Sequence, residues 1–360
     1  RTYSVTLRAS AMSTDHRHRY GESLEDDTHR TGFAEVSYAS GIADTSWLAG
    51  LAAQQDRFRS RQFQQFDYRY TVPAVFVQAE QTLREDLVLS GSARWDDHSE
   101  YGDHFSPRLS LLFHPGQWTL RASVGKGFFA PTPFVEEIEA AGLSKLDPLR
   151  GLRAETATTG SIDVGYANGP WEANVSLFAS NIDHAVRLAD SPDAPGERVQ
   201  LINVDGLTRT RGSELLLRYR WQDITVTGSY VYTDAAEPGE EGQGRRAVPL
   251  TPRHTAGLVA MWEQHGRGRV GLEAYYTGTQ ALEDNPWRRH GRPYVELGAL
   301  GEIVLGRVSL FLNLENILDV RQSGYNPMLR PRRSDDGQWT VDAWAPLDGF
   351  VVNGGVRLKF

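Results

Sequence analysis

The sequence predicts an all-β protein, a transmembrane antiparallel up-and-down β-barrel of about sixteen strands. Three observations lead to this prediction. About sixteen segments alternate between apolar and polar residues over roughly ten positions, the length that a tilted membrane strand needs. The connections between these segments are short and long in turn. No run approaches the roughly eighteen consecutive apolar residues of a membrane helix, so only strands are left to cross a bilayer.

The final segment, residues 350–360, shows the alternation most clearly. One face carries only apolar residues and glycine: Phe350, Val352, Gly354, Val356, Leu358 and Phe360. The other face carries Val351, Asn353, Gly355, Arg357 and Lys359. In a barrel the first face meets lipid and the second meets the lumen. A strand packed on a soluble core would show the same pattern, so this segment alone leaves both structures open.

The other segments repeat this pattern along the chain, and most exceed the five or six residues usual for globular strands. In chain order the predicted strands cover residues 3–12, 32–40, 45–55, 72–83, 87–95, 105–113, 118–125, 156–166, 171–182, 212–221, 224–232, 254–262, 270–277, 295–303, 308–315 and 350–360.

The connections separate a membrane barrel from other β-folds. Short connections are predicted at 40–44, 84–86, 114–117, 167–170, 222–223, 264–268 and 306–307. Long polar connections are predicted near 13–31, 56–71, 96–104, 126–155, 183–211, 233–253, 278–293 and 316–349. This strict alternation is typical of tight periplasmic turns and long extracellular loops. A β-sandwich or propeller would not confine its long loops to every second connection.

Composition and charge narrow the function classes. The chain has 360 residues and a net charge of −8, which argues against nucleic acid as the main partner. It has no cysteine, which excludes disulfides and thiolate metal sites. Trp118, Trp171 and Trp221 lie beside predicted short turns, as the interfacial aromatic girdle of a barrel requires. No nucleophile elbow or phosphate-binding glycine loop is present, so we do not expect an enzyme.

Several motifs, in order and with fitting spacing, resemble the barrel of TonB-dependent outer-membrane receptors. They are RASVGKGFFAPTPFVEE (121–137), LRAET (152–156), NVDGLTRTRGSELLLRYR (203–220), VPLTPRHTAGL (248–258) and LNLENILDVRQSGY (312–325). The terminal Gly355, Leu358 and Phe360 are similar to the signal read by the barrel-assembly machinery. The resemblance covers essentially the whole of residues 1–360, which we interpret as a single barrel domain.

The resemblance implies a Gram-negative outer-membrane transporter driven by the TonB complex. Its implied ligand is a ferric siderophore, with cobalamin, haem or an oligosaccharide as other possibilities. Family barrels have about twenty-two strands and a plugged lumen. The plug and about six early strands have no counterpart in this sequence, so we expect it to be either a fragment or a truncated homologue. Two other functions stay open: a passive porin-like channel of sixteen strands without a plug, and a surface adhesin or phage receptor.

Two groups of residues are candidates for ligand binding. Arg94, Arg108 and Arg121 project inward on the alternation, as do Arg218 and Arg357, and guanidinium groups bind anionic oxygens well. The alternative is that these arginines pair with neighbouring carboxylates. The loop 56–71 interleaves arginines with aromatic residues, and Arg59, Arg61 and Tyr68 are the expected contacts to a flat, anionic catecholate. The alternative here is a hairpin that extends the sheet, with its arginines facing lipopolysaccharide phosphates.

No metal site or cofactor is expected. His16 and His18 lie near Glu22, and a second group comprises Asp97, His98, Glu100 and His104. Histidine and carboxylate side chains are competent zinc or iron ligands, but scattered histidines in polar loops are more often solvated. The acidic residues 24–27 lack the spacing of a calcium loop. Residues 132–153 contain no histidine, which disfavours haem as the ligand of such a receptor.

Overall fold

A computed structural model describes residues 2–20, 23–134, 142–193, 198–239, 244–283, 285–331 and 341–359. Within these ranges the chain is almost entirely β-structure, with three single 3₁₀ turns. The strands are β1 (Thr2–Tyr20), β2 (Ser23–Ile42), β3 (Thr45–Ser60), β4 (Tyr68–Arg84), β5 (Leu87–His98), β6 (Gly102–Phe113), β7 (Trp118–Phe129), β8 (Glu155–Asn168), β9 (Trp171–Asp183), β10 (Val186–Asp190), β11 (Val199–Asn203), β12 (Thr208–Trp221), β13 (Ile224–Pro238), β14 (Arg245–Ala247), β15 (His254–Gln264), β16 (Gly268–Thr277), β17 (Tyr294–Leu305), β18 (Val308–Glu315) and β19 (Val351–Leu358). None of the described helical segments is long and apolar enough to cross a membrane.

Seventeen of these strands form one antiparallel sheet in which sequence neighbours pair. β9 pairs directly with β12, because β10 and β11 form a separate hairpin within the connection between them. The short β14 lies beside the end of β13, which also pairs with β15. The remaining sixteen strands coincide with the sixteen predicted segments, so the predicted fold class is confirmed.

All seven predicted short connections are confirmed as tight turns, and they lie at one end of the sheet. The prediction for the other end was partly wrong. Residues 13–20, 23–31, 96–98 and 102–104 are not loops, because β1, β2, β5 and β6 continue through them as paired strands. The connection 56–71 is likewise mostly strand, with a 3₁₀ turn at Gln64–Phe66. Beyond the lipid both faces of a strand are polar, so the alternation disappears although the hydrogen bonding continues.

The two faces of the sheet differ as a membrane barrel requires. Val36, Leu51 and Val75 stand opposite one another on β2, β3 and β4, and all three are exposed on the outward face. At the short-turn end, Trp118 packs on Tyr166 with ring centroids 4.7 Å apart, and Trp171 packs on Tyr219 at 4.3 Å. These aromatic pairs occupy the position predicted for the interfacial girdle.

The last strand follows the predicted alternation. Val352, Val356 and Leu358 are exposed on the outward face. On the inward face Arg357 contacts Glu302 at 3.3 Å, and Gly355 lies under the ring of Phe311, where a Cβ atom would come within 2.8 Å of the ring carbons. Phe360, the last residue of the expected assembly signal, lies outside the described residues.

We expect Leu111→Arg to lower the free energy of unfolding in a bilayer by about 2–4 kcal/mol, because it places a charge on the lipid-facing surface. Leu111 is 40% exposed and pairs with Leu89 and Ala122 on that face. Ser110→Arg is the matched control, since Ser110 faces the lumen opposite Ser90 and Ser123. Urea unfolding in lipid vesicles, followed by tryptophan fluorescence, measures both variants. Equal losses for the two would contradict the assigned faces.

Candidate ligand-binding site at the long-loop end

At the long-loop end, two connections fold onto the inner face of the β3–β4 hairpin. Phe58 of β3 is 1% exposed and Phe66 of the hairpin turn is 2% exposed. Both pack in one apolar cluster with Leu143 and Leu146 from the connection after β7 and Leu201 from β11. Burial of these side chains is favourable by about 1.5–3 kcal/mol each. The cluster therefore holds segments from distant parts of the sequence inside the rim of the sheet.

Polar contacts fix the same two connections to each other. Leu146 forms a parallel bridge with Val199, and the Asp147 backbone N–H donates to the Val199 carbonyl at 2.8 Å. The Arg198 guanidinium donates to the Asp147 carboxylate at 2.6 Å and to the Leu146 carbonyl at 2.8 Å. The neighbouring Ser191 hydroxyl and the Arg198 guanidinium hold the pKa of Asp147 below its ordinary value. We call this pair of residues, Asp147 and Arg198, the loop clasp.

A row of aromatic rings lines the inner face beside the cluster. The rings of Tyr68 and Tyr70 stack with centroids 4.4 Å apart, and Tyr70 packs edge-on against Tyr101 at 6.0 Å. These three residues line a cavity of about 440 Å³ together with Asp67, Arg69, Glu100 and apolar residues of the connection after β7. The Tyr101 hydroxyl donates to the Pro131 carbonyl at 2.7 Å, and burial raises its pKa, so it stays a hydrogen-bond donor.

A second cluster joins the connection after β16 to the connection after β18. Arg288 lies over the ring of Trp344 at 5.7 Å, and Arg292 lies over the ring of Tyr325 at 5.5 Å. The Tyr325 and Trp344 rings are 5.8 Å apart. Among the described residues, Trp344 Nε1, the Tyr325 hydroxyl and Arg288 Nε are buried and have no hydrogen-bond partner. Unpaired buried donors are costly, so this cluster is suited to an acceptor-rich ligand. We call these four residues the Arg–Trp cluster.

Two buried amides hold the Arg–Trp cluster in place. Gln322 is fully buried; its Oε1 accepts the Trp344 backbone N–H at 2.8 Å, and its Nε2 donates to the Asp342 carbonyl at 2.6 Å. Gln280 Nε2 donates to the Trp344 carbonyl at 2.6 Å. Trp344 itself is 5% exposed. Hydrogen bonds from the two glutamine side chains to the Trp344 backbone thus set the position of this residue. Its indole N–H has no partner among the described residues.

The predicted inward arginines occupy different environments. Arg94 donates to the buried Asp96 carboxylate at 2.8 Å and lies 5.8 Å from the Phe76 ring centroid. Arg108 and Arg121 also lie on the inward face, and neither forms an ion pair within the described part of the chain. Arg218 contacts Glu172 at 3.1 Å and Arg357 contacts Glu302, as the alternative interpretation of these two residues expects. Ligand contact by Arg94, Arg108 and Arg121 stays a prediction.

The structure separates the residues predicted to act together in the 56–71 connection. Phe58 pairs with Tyr68 across β3 and β4, so Tyr68 faces the inner cluster. Arg59 follows Phe58 and therefore faces outward, where it is exposed. Arg61 lies beyond the strand and contacts the Asp26 carboxylate at 3.1 Å. One small ligand cannot contact Arg59 and Tyr68 together, because the sheet lies between them.

The first predicted histidine group is brought together. The ligand atoms of His16, His18 and Asp27 lie within 4.8 Å of one another, and His16 Nδ1 is 3.0 Å from the Asp27 carboxylate. These three residues have the chemistry to hold a divalent transition metal; Glu22 lies outside the described residues. In the second group, His98 Nδ1 accepts the backbone N–H groups of Glu100 and Tyr101 at 3.2 Å.

The comparisons with known proteins agree with this architecture. A family model for the β-barrel of TonB-dependent receptor-like proteins matches residues 1–317. The iron-regulated outer membrane virulence protein of Vibrio cholerae serotype O1 is 25% identical over 279 residues, which cover 72% of this chain and 37% of that protein. The ferric enterobactin receptor of Pseudomonas aeruginosa is 23% identical over 288 residues, covering 69% of this chain and 37% of the receptor.

Solved structures give the same fold at low sequence identity. A mutant of the ferric enterobactin receptor PfeA from Pseudomonas aeruginosa superposes with a TM-score of 0.72 and 14% identity, covering 99% of this chain and 62% of that one. The FrpB iron transporter from Neisseria meningitidis gives a TM-score of 0.73 and 15% identity, and the match covers 99% of this chain and 60% of the transporter chain. This chain thus spans 37% of the length of the two curated relatives and 60–62% of the length of these structures, in each case less than two thirds.

We expect the loop clasp to weaken in acid. Because its folded-state pKa is lowered, the Asp147 carboxylate contributes stability above its unfolded pKa of about 3.9 and loses it as the pH falls through the lower folded value. Hydrogen-exchange protection of residues 142–152, corrected for the intrinsic pH dependence of exchange, should fall between about pH 5 and about pH 2. Asp147→Asn should remove this pH dependence. An unchanged profile in that variant would show that other groups control the connection.

Proposed function

The chain belongs to the family of TonB-dependent receptors, and on that basis we propose that it is the barrel of a transporter that imports a ferric siderophore across the outer membrane. The names of its relatives support an iron-related ligand: one is an iron-regulated outer membrane protein and another is a receptor for ferric enterobactin. PfeA has been crystallised with enterobactin, and it shares this fold.

The observation that carries the proposal is the Arg–Trp cluster. Ferric siderophores present anionic oxygens around the metal, and catecholate siderophores also present flat aromatic rings. Two guanidinium groups beside two aromatic rings offer both charge and stacking surfaces to such a ligand. The unpaired donors Trp344 Nε1 and the Tyr325 hydroxyl would then hydrogen-bond to ligand oxygens. The cavity beside Tyr68, Tyr70 and Tyr101 is a second candidate contact surface at the same end of the sheet.

Transport would follow the order that the family implies. The ligand binds among the connections at the long-loop end, and the TonB complex acts through the plug to release it toward the other side. Arg108 and Arg121, which lack ion pairs within the described ranges, offer positive charge along the lumen face below the mouth. The barrel-assembly machinery and outer-membrane lipid are the further partners we propose for this domain.

A passive pore is the second function considered, and family membership disfavours it. The folding of two connections onto the inner face of β3 and β4 also narrows the lumen at the long-loop end. Neither observation points to catalysis, and one of the relatives is a receptor for ferric enterobactin. We therefore retain gated import as the function that the residues support best.

We expect the Arg288→Gln/Arg292→Gln double variant of the native receptor to bind a ferric triscatecholate at least about tenfold more weakly, because charge-assisted hydrogen bonds contribute about 1.5–3 kcal/mol each. Trp344→Phe keeps an aromatic ring and both guanidinium groups but removes the unpaired donor and part of the buried ring, so a smaller loss is expected. Quenching of intrinsic fluorescence measures the affinity.

Arg289→Gln is the matched control for this experiment. Arg289 lies in the same connection and is exposed, and only its backbone carbonyl takes part in a hydrogen bond, from the Leu282 N–H at 3.0 Å. Its affinity should equal that of the unaltered receptor. If the double variant also binds normally, the Arg–Trp cluster is not the ligand site.

A further inference from the structure

A row of arginines crosses the outward face of three neighbouring strands. Arg30 of β2 is directly opposite Arg57 of β3, and Arg57 is directly opposite Arg69 of β4. Arg59 lies on the same outward face of β3, two residues beyond Arg57 toward the long-loop end. Arg30, Arg59 and Arg69 are exposed, and Arg57 is half-buried. We call these four residues the arginine row.

The register fixes the level of the row relative to the membrane. Val36, Leu51 and Val75 form a rung of the apolar outward face, and each lies six residues from the arginine of its own strand. Six residues span about 20 Å along a strand. The rung immediately before the arginines contains Gly32, Gln55 and Thr71, where the apolar surface ends. The row therefore lies just outside the hydrocarbon, on the long-loop side.

No guanidinium group of the row forms an ion pair within the described part of the chain. Like charges directly opposite each other in an antiparallel pair are destabilising. Three nearby carboxylates are engaged elsewhere: Asp15 accepts the Thr28 hydroxyl at 2.7 Å, Asp26 contacts Arg17 at 3.4 Å and Arg61 at 3.1 Å, and Asp67 accepts the Ser60 backbone N–H at 2.8 Å. None of them forms an ion pair with an arginine of the row.

Arg211 is an outward-facing arginine of this sheet that does form an ion pair. Arg211 of β12 is also exposed, and its guanidinium contacts the Asp234 carboxylate at 2.8 and 2.9 Å. An arginine on this face can thus be supplied with a carboxylate partner on the neighbouring strand. In the arginine row, the opposite positions on the neighbouring strands are themselves occupied by arginines. Its counter-charge therefore has to come from outside the described residues.

We propose that the arginine row binds phosphate groups of anionic lipid headgroups in the membrane leaflet on the long-loop side. Guanidinium groups bind phosphate through paired, charge-assisted hydrogen bonds and are more weakly hydrated than ammonium groups. The phosphates of a leaflet lie at the level where the apolar surface ends. Arg30, Arg57 and Arg59 face away from the lumen, so the inference does not rest on the transported ligand, although Arg69 also lines the cavity beside Tyr70.

The test compares lipid binding by the unaltered receptor and by the Arg30→Gln/Arg57→Gln/Arg69→Gln variant. Native mass spectrometry in a neutral detergent measures binding of three probes: lipid A with both phosphates, the same lipid after dephosphorylation, and inorganic phosphate. We expect the triple variant to bind phosphorylated lipid A at least about tenfold more weakly. Arg211→Gln, the matched control, should bind it normally. Dephosphorylated lipid should bind weakly to every variant.

Three results would overturn the proposal. One is equal binding of phosphorylated lipid A by the unaltered receptor and the triple variant. Another is binding of inorganic phosphate as tight as that of the lipid, which would make the row a site for free anions. The third is loss of folding or of thermal stability in the triple variant in phosphate-free detergent. Removing mutual repulsion should instead raise its unfolding temperature, which heat-dependent gel mobility measures.

Discussion

The structure depends on one constraint: in lipid, each backbone N–H and C=O group must find its partner within the protein. A continuous series of antiparallel pairs, from β1 to β9 and on through β12 to β19, meets it for the strands that lie between β1 and β19. The same pairing fixes which side chains face lipid and which face the lumen, since the side-chain period is two. Phe58 and Tyr68 are therefore inside, whereas Arg57 and Arg59 are outside.

The sequence predicts a strand wherever apolar and polar side chains alternate with this period of two. All sixteen long strands and all seven short turns were predicted, because lipid on one face and water on the other enforce alternation within the bilayer. The strand extensions through 13–20 and 23–31 were not, since both faces there are polar. Contacts such as Thr28 with Asp15 and Arg17 with Asp26 take over there, and these follow from register rather than from hydrophobicity.

The candidate site was only partly visible in the sequence. Alternating arginines and aromatic residues in 56–71 predict that Arg59, Arg61 and Tyr68 contact one ligand, but sequence proximity could not show that Arg59 lies across the sheet from Tyr68. The Arg–Trp cluster was missed, because Arg288 and Trp344 come from different connections. The segment 285–294 (NPWRRHGRPY) carries the same interleaving of arginine and aromatic residues and was the available signal. Trp344, which contacts Arg288 of this segment, could be identified only from the structure.

We propose that the protein imports its ligand by an energy-coupled, gated mechanism. Uptake of an iron-55-labelled ferric triscatecholate by cells producing the native receptor, measured with and without a functional TonB complex, tests this mechanism. Energy-coupled import predicts saturable uptake that disappears when the TonB complex is inactive. Uptake that continues unchanged without that complex, or that rises linearly with ligand concentration, would contradict it and indicate a passive pore.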